Sequence, residues 1–240
     1  MMSGRGRWRG LVNKYDLLIF DWDGTLADSI GRIVESISVA AANCDLPPLD
    51  EGVIKGIIGL GLPEAIAALY PHITDVRTAE AFRRAYAAHY LLLDAEPSAL
   101  YPGVALALQQ LGDQGHMLAV ATGKGRRGLD RVLAAQGWGD FFDVTRCADE
   151  TASKPDPLMI HEILGHCGVS PERAVMIGDS VFDLEMARRA GVDSVAVTYG
   201  AQSVEVLQAC SPCMTIKNFS ELGRWLCSAD SAAEVVAYVG

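Results

Sequence analysis

Two aspartates, Asp21 and Asp23, close the stretch "YDLLIFDWD" and are followed at once by a Gly-Thr turn. Carboxylates two apart at the end of an extended segment point to one side. After an apolar run they are desolvated as well as mutually repelling, so a cation is expected beside them. Three further signatures carry complementary groups. Thr122-Gly123-Lys124 offers a hydroxyl, a backbone N–H and an ammonium; Lys154-Pro155 offers a second ammonium; "GDSVFD" offers the carboxylates Asp179 and Asp183. Taken singly, each has an ordinary structural explanation: Thr122 can cap a helix, Lys154 can face solvent, and Asp183 can be a surface charge.

The elements that must position these groups are legible as periodicities. From residue 100 onward, short β-rich runs alternate with helical text: "HMLAVAT" (116–122), "FFDVTRC" (141–147), "AVMIG" (174–178), "SVAVT" (194–198) and "CMTIK" (213–217), with "YDLLIF" (15–20) joining them. That alternation predicts an α/β fold, a three-layer Rossmann-like parallel sheet covered on both faces by helices. Gly115 and Gly191 fall where a left-handed residue would end a helix, and Pro157 suits the first turn of "PLMIHEILGHCG". The polar signatures then sit at the carboxyl ends of strands, which in an open parallel sheet share one edge and form a crevice. They are expected to meet in space.

Between Ser29 and about Ser98 the text turns alanine-rich and helical, as in "PEAIAALY" and "AEAFRRAYAAHYLLL". This is too long for an ordinary connection and reads as an inserted helical unit. The expected organisation is a disordered basic tail at 1–12, a core built from 13–28 and 99–240, and an insertion at 29–98. The tail, "MMSGRGRWRGL", is unlike the acidic remainder, and translation starting at Val12 from a non-ATG codon is a further hypothesis for it.

Bulk composition narrows the function. The chain has 240 residues, 50% of them hydrophobic, and a formal net charge of −10, which repels polyanions, so nucleic acid is not an expected partner. Apolar runs are strand-sized, far short of the roughly 20 residues that span a bilayer, so a soluble, cytoplasmic protein is expected. The six scattered cysteines read as free thiols. Cys210 and Cys213 form a lone "CSPC" without the further ligands zinc needs. His161 and His166 are five apart, wrong for a two-histidine metal site on one helix face.

In order and spacing, "DWDGTLADS", "ATGK", Lys154-Pro155 and "GDSVFDLEMA" resemble the four motifs of the haloacid dehalogenase superfamily, and in particular its phosphoglycolate phosphatase branch, from about Asn13 to Asn218. The resemblance implies a Mg²⁺-dependent phosphatase acting on a small phosphorylated metabolite, with the insertion as a cap over the site. Asp21 is then the nucleophile, already ionised and needing no base. Asp23 protonates the leaving alcohol and later takes a proton from water, a task that favours a raised pKa. The resemblance makes the metal ligands the Asp21 side chain, the Asp23 backbone carbonyl and Asp179, with Asp183 behind them; which of the last two touches metal stays open. Lys154 offsets negative charge, Thr122 and the Gly123 amide bind phosphoryl oxygens, and Trp22 and Lys124 join Gly123 as substrate-binding residues.

Asp28 and Ser29 are expected to cap "IGRIVESISVAA" and mark the hinge into the insertion. "GIIGLGLPEA" (56–65) looks like a specificity loop, and Arg32, Lys55, Arg83 and Arg84 are cap cations with no individual assignment. Asp23 argues against a dehalogenase, which has no leaving alcohol to protonate. A β-phosphoglucomutase-like phosphotransferase and a non-catalytic module of the same fold remain alternatives, and oligomeric state is open.

Overall fold

The computed structural model describes residues 14–227. The basic tail, the start-site hypothesis and the last thirteen residues of the expected core lie outside that range. Six strands, β1 (Leu17–Phe20), β2 (Met117–Thr122), β3 (Val144–Cys147), β4 (Ala174–Gly178), β5 (Asp193–Val197) and β6 (Met214–Ile216), form one parallel sheet in the order β3-β2-β1-β4-β5-β6. The chain builds outward from β1 through β2 to β3, then restarts on the other side of β1 with β4, so strand order reverses at the centre. Such a reversal opens a crevice at the carboxyl ends of β1, β2 and β4.

Every residue of β1 is buried, as expected of a strand covered on both faces. Leu18 and Phe20 join the cluster formed with α5 (Val104–Asp113), α6 (Arg126–Ala135) and the helical residues 221–227. Leu17 and Ile19 join the opposite cluster, with α7 (Leu158–Cys167) and α8 (Val181–Ala190). These are the three layers. Strand β4 coincides with the sequence reading, and the other strand ends differ from it by at most three residues. The largest difference is at β3, where Asp143 leaves the expected strand because its carboxylate accepts the Leu118 N–H (2.8 Å). Pro157 is the residue before α7 rather than inside its first turn, whereas Gly115 and Gly191 are left-handed, with φ of 93° and 70°.

Between residues 29 and 98 lie four helices and their connecting loops, α1 (Ile30–Asn43), α2 (Glu51–Lys55), α3 (Leu62–Leu69) and α4 (Val76–Leu93). The spacing Ile30, Ile33, Ile37, Ala40 puts one apolar face of α1 inward. That face packs with Ile54, Ile66, Phe82 and Tyr90 into a cluster separate from the two sheet faces. α9 (Val204–Gln208) covers the sheet near β5 through Leu207.

Candidate active site

The D-x-D, Lys154 and the α8 motif converge at the carboxyl edge of β1 and β4. Asp21 N–H donates to Ile177 O of β4 (3.0 Å), extending the β1 ladder by one residue and placing the Asp21 carboxylate over the end of the sheet. Lys154 Nζ donates to Asp21 Oδ1 (2.5 Å) and lies 2.6 Å from Asp183 Oδ1, an ion pair in distance without hydrogen-bond alignment. Side-chain exposure is 0% for Lys154, 2% for Asp21 and 0% for Asp183. Charges so desolvated persist only when paired.

Local sequence explains how Asp183 is held. Ser180 and Asp183 form a capping box on α8, and Asp183 Oδ2 accepts from Ser180 N–H (3.2 Å) and Ser180 Oγ (2.6 Å). Asp179 is held from both sides, with Oδ1 accepting from Thr25 Oγ1 (3.3 Å) and Oδ2 from Ala201 N–H (2.6 Å). Gly24 makes this approach possible. Its φ is +87°, and a Cβ there would lie 2.2 Å from Asp179 Oδ2.

One carboxylate oxygen from each of Asp21, Asp179 and Asp183 lies within 4.8 Å of the others. Asp21 Oδ2 is buried and has no hydrogen-bond partner. Burial, ahead of the neighbouring carboxylates, holds Asp21 well above the usual carboxylate range despite Lys154. Burial and then Asp183 push Asp179 up to about 7. An orphaned buried oxygen within an all-carboxylate cluster fits a hard divalent cation. Asp21 Oδ2 is the one oxygen of the three carboxylates with neither a hydrogen bond nor an ion pair, whereas Asp179 has both oxygens hydrogen-bonded and Asp183 has one hydrogen-bonded and one ion-paired, so the geometry does not rank Asp179 against Asp183 as the further ligand.

The second half of the site straddles the insertion. Asp23 Oδ1 accepts from Ser29 Oγ (2.6 Å) and lies 3.0 Å from Lys124 Nζ. Ser29 does precede α1, but its side chain makes no cap hydrogen bond. The expected capping role is therefore corrected: the hydroxyl is spent on Asp23. Asp28 lies at the rim, 3.5 Å from the Tyr101 hydroxyl. Thr122 is buried, and its Oγ1 accepts from Lys124 N–H (3.1 Å), which curls the loop after β2. Gly123 is where the insertion touches down, since a Cβ there would meet the carbonyl oxygens of Gly59 and Leu60 at 2.5 Å. Gly61 N–H donates to Ser153 Oγ (2.8 Å), tying the same loop to the segment that carries Lys154.

Trp22 is placed differently from its neighbours. The residue is 2% exposed, its indole packs edge-on against Trp138 in the core, and its carbonyl accepts from the Leu26 and Ala27 N–H groups, so it offers the crevice no side-chain contact. The cap cations are occupied locally: Lys55 with Glu51 (2.6 Å), Arg83 with Glu80 (2.7 Å), and Arg32 with the carbonyls of Leu93 and Glu96. Sequence reasoning misses Thr25, Ser29, Ala201 and Tyr90 as site groups. Thr25 stands in the D-x-D-G-T stretch, a signal that could have found it; the others have no local signal.

Comparison with known proteins places the fold in a family. The family model described as "Haloacid dehalogenase-like hydrolase" matches residues 18–197. The chain is 34% identical over 209 residues to a probable phosphatase, IndB, of Dickeya dadantii, covering 86% of this chain and 91% of that one. It is 30% identical over 217 residues to a phosphoglycolate phosphatase of Rhodospirillum rubrum, covering 87% and 90%. A crystal structure of a Bacteroides fragilis protein assigned to the haloacid dehalogenase-like hydrolases superposes with a TM-score of 0.81 at 29% identity, over 87% of this chain and 100% of that one. With the family model matching residues 18–197 of the 240, the chain belongs to the haloacid dehalogenase-like hydrolases.

Proposed function

We propose that the protein is a Mg²⁺-dependent phosphatase of small phosphomonoesters, working through an aspartyl-phosphate on Asp21. The observation that carries this reading is Asp21 itself. One oxygen is fixed by Lys154, and the other is buried without a partner beside two more carboxylates. Asp21, Asp179 and the Asp23 backbone carbonyl would hold Mg²⁺, which when bound offsets the carboxylate charge and polarises a phosphoryl oxygen.

The protein's own groups account for the rest. Lys154 orients the Asp21 carboxylate and opposes the charge gathered there. Thr122 and the Gly123 N–H stand at the end of β2, where a hydroxyl and a backbone donor can accept charge spreading over the phosphoryl oxygens. An Asp21 oxygen attacks phosphorus, the bond to the ester oxygen breaks, and Asp23 gives its proton to the departing alkoxide. Asp23 then takes a proton from water as that water attacks phosphorus and releases Asp21 and inorganic phosphate. The Gly59–Leu60 segment against Gly123 excludes bulk water during transfer. A short phosphorylated acid such as 2-phosphoglycolate fits the name borne by the Rhodospirillum relative. Cysteines that form no disulfide among the described residues fit a reducing compartment, the cytoplasm.

The test is phosphate release from a panel containing 2-phosphoglycolate and several sugar phosphates, with Mg²⁺ and with EDTA. Metal-dependent release peaking on one ester supports the reading. Release equal in EDTA would remove the metal from it, and no release from any ester would remove the phosphatase.

A further inference from the structure

The two lysines of the site differ in what they can still reach. Lys154 is closed off between Asp21 and Asp183. Lys124 is 9% exposed and Asp23 12%, so the crevice opens on their side. Lys124 Nζ also donates to the Tyr90 hydroxyl of α4 (3.3 Å) and stands 4.7 Å above that ring's centre. Tyr86 stacks on Tyr90 with ring centres 5.7 Å apart, walling the same spot from the cap. Because the Tyr90 hydroxyl accepts from Lys124, its own proton is free; among the described residues no acceptor takes it. Burial holds the Tyr90 hydroxyl above its ordinary range, so it stays a donor at neutral pH.

A leaving oxygen must come within hydrogen-bond reach of Asp23, about 3 Å. Lys124 Nζ is 3.0 Å from Asp23 Oδ1 and the Tyr90 hydroxyl 3.3 Å beyond it, so an oxygen bonded to Asp23 Oδ1 lies within about 6 Å of the ammonium and within about 9 Å of the hydroxyl, close enough for a substituent on the leaving group to reach them. The cap cations Lys55, Arg83 and Arg32 are committed elsewhere, and Arg84 is exposed. We infer that Lys124 and Tyr90 form a subsite for an anionic substituent carried on the leaving group close to the ester oxygen, selecting short phosphorylated acids over neutral esters. The inference rests on the phosphatase reading for its turnover consequence but not for its binding consequence.

The experiment pairs 2-phosphoglycolate with ethyl phosphate, a neutral ester of similar size. Wild type should favour the acid in kcat/KM by about tenfold or more, the scale of one charged hydrogen bond. Tyr90→Phe and Lys124→Met should each bring that ratio toward one, with Tyr90→Phe acting through KM. Calorimetric titration of the same two esters with Mg²⁺ into Asp21→Asn, which binds without turnover, should show the same preference and its loss when Tyr90→Phe is added. Equal affinities for the two esters overturn the subsite, as do variants that weaken both esters equally. An intact binding preference with no release by wild type sinks the phosphatase reading and leaves the subsite standing.

Discussion

The floor and the mouth of the site are each built around a lysine paired with an aspartate, yet their surroundings are opposite. On the floor, Lys154 joins Asp21 and Asp183 with every side chain 2% exposed or less, and all three come from the sheet core. At the mouth, Lys124 joins Asp23 near the opening, and its remaining partner, Tyr90, comes from the insertion. Under the proposed function, the floor groups would do the same work on every substrate, held within one structural unit, and the mouth groups would meet the variable part of a substrate where two units touch.

The sharpest break in the comparison is at the floor. Asp21→Asn should abolish turnover while leaving the fold intact by circular dichroism, and activity within tenfold of wild type would overturn the nucleophile assignment. At the mouth, Asp23→Asn should cost on the order of 10²–10⁴-fold, the usual scale of general acid–base catalysis. The loss should be larger on alkyl phosphates than on p-nitrophenyl phosphate, because the nitrophenolate needs less help to leave; equal losses would count against the acid role.

Stability gives a third contrast. Lys154→Met strips the cation from two fully buried carboxylates and should destabilise the metal-free protein by about 3–5 kcal/mol in urea unfolding. Lys124→Met, beside a carboxylate that reaches solvent, should cost well under half as much. Comparable losses would show that the two pairs are equally enclosed.

The smallest effect is one of pH. Asp179 and Asp21 are held above their ordinary values, so the folded protein keeps protons that the unfolded chain has released. Stability tied to Asp179 is therefore full at low pH and declines as pH rises from its ordinary 3.8 through about 7. In EDTA the melting temperature should fall by on the order of 5 °C between pH 5 and 8. Asp179→Asn should flatten that slope, and Mg²⁺ should restore more stability at pH 8 than at pH 5. A melting temperature that rises across this window in EDTA would contradict the picture of crowded carboxylates.

Much of the floor is legible in the amino-acid sequence. Asp21 follows an apolar run that is buried on both faces, Asp179 ends another such run, and Asp183 sits in a capping box three residues from Ser180. Each signal is local, so reading the sequence places it. Ser29 shows where local reading misleads: the residue type and position suit a helix cap, but Asp23, six residues earlier, turns back within reach and takes the hydroxyl. Trp22 shows the converse, since its place between two site aspartates suggests contact with substrate while strand alternation sends its indole to the core.

By itself the sequence determined the parallel sheet, the helical stretch between β1 and β2 and the loops that carry the candidate carboxylates and Lys154, because these follow from burial periodicity and from turn and cap chemistry spanning a few residues. Tertiary structure alone decided which insertion residues look into the site. Tyr86 and Tyr90 belong to a helix whose text reads like any amphipathic helix. Their role arises because that helix is laid against a loop 34 residues away from Tyr90, at Lys124. Packing between units sets that juxtaposition, and no pattern within either segment encodes it.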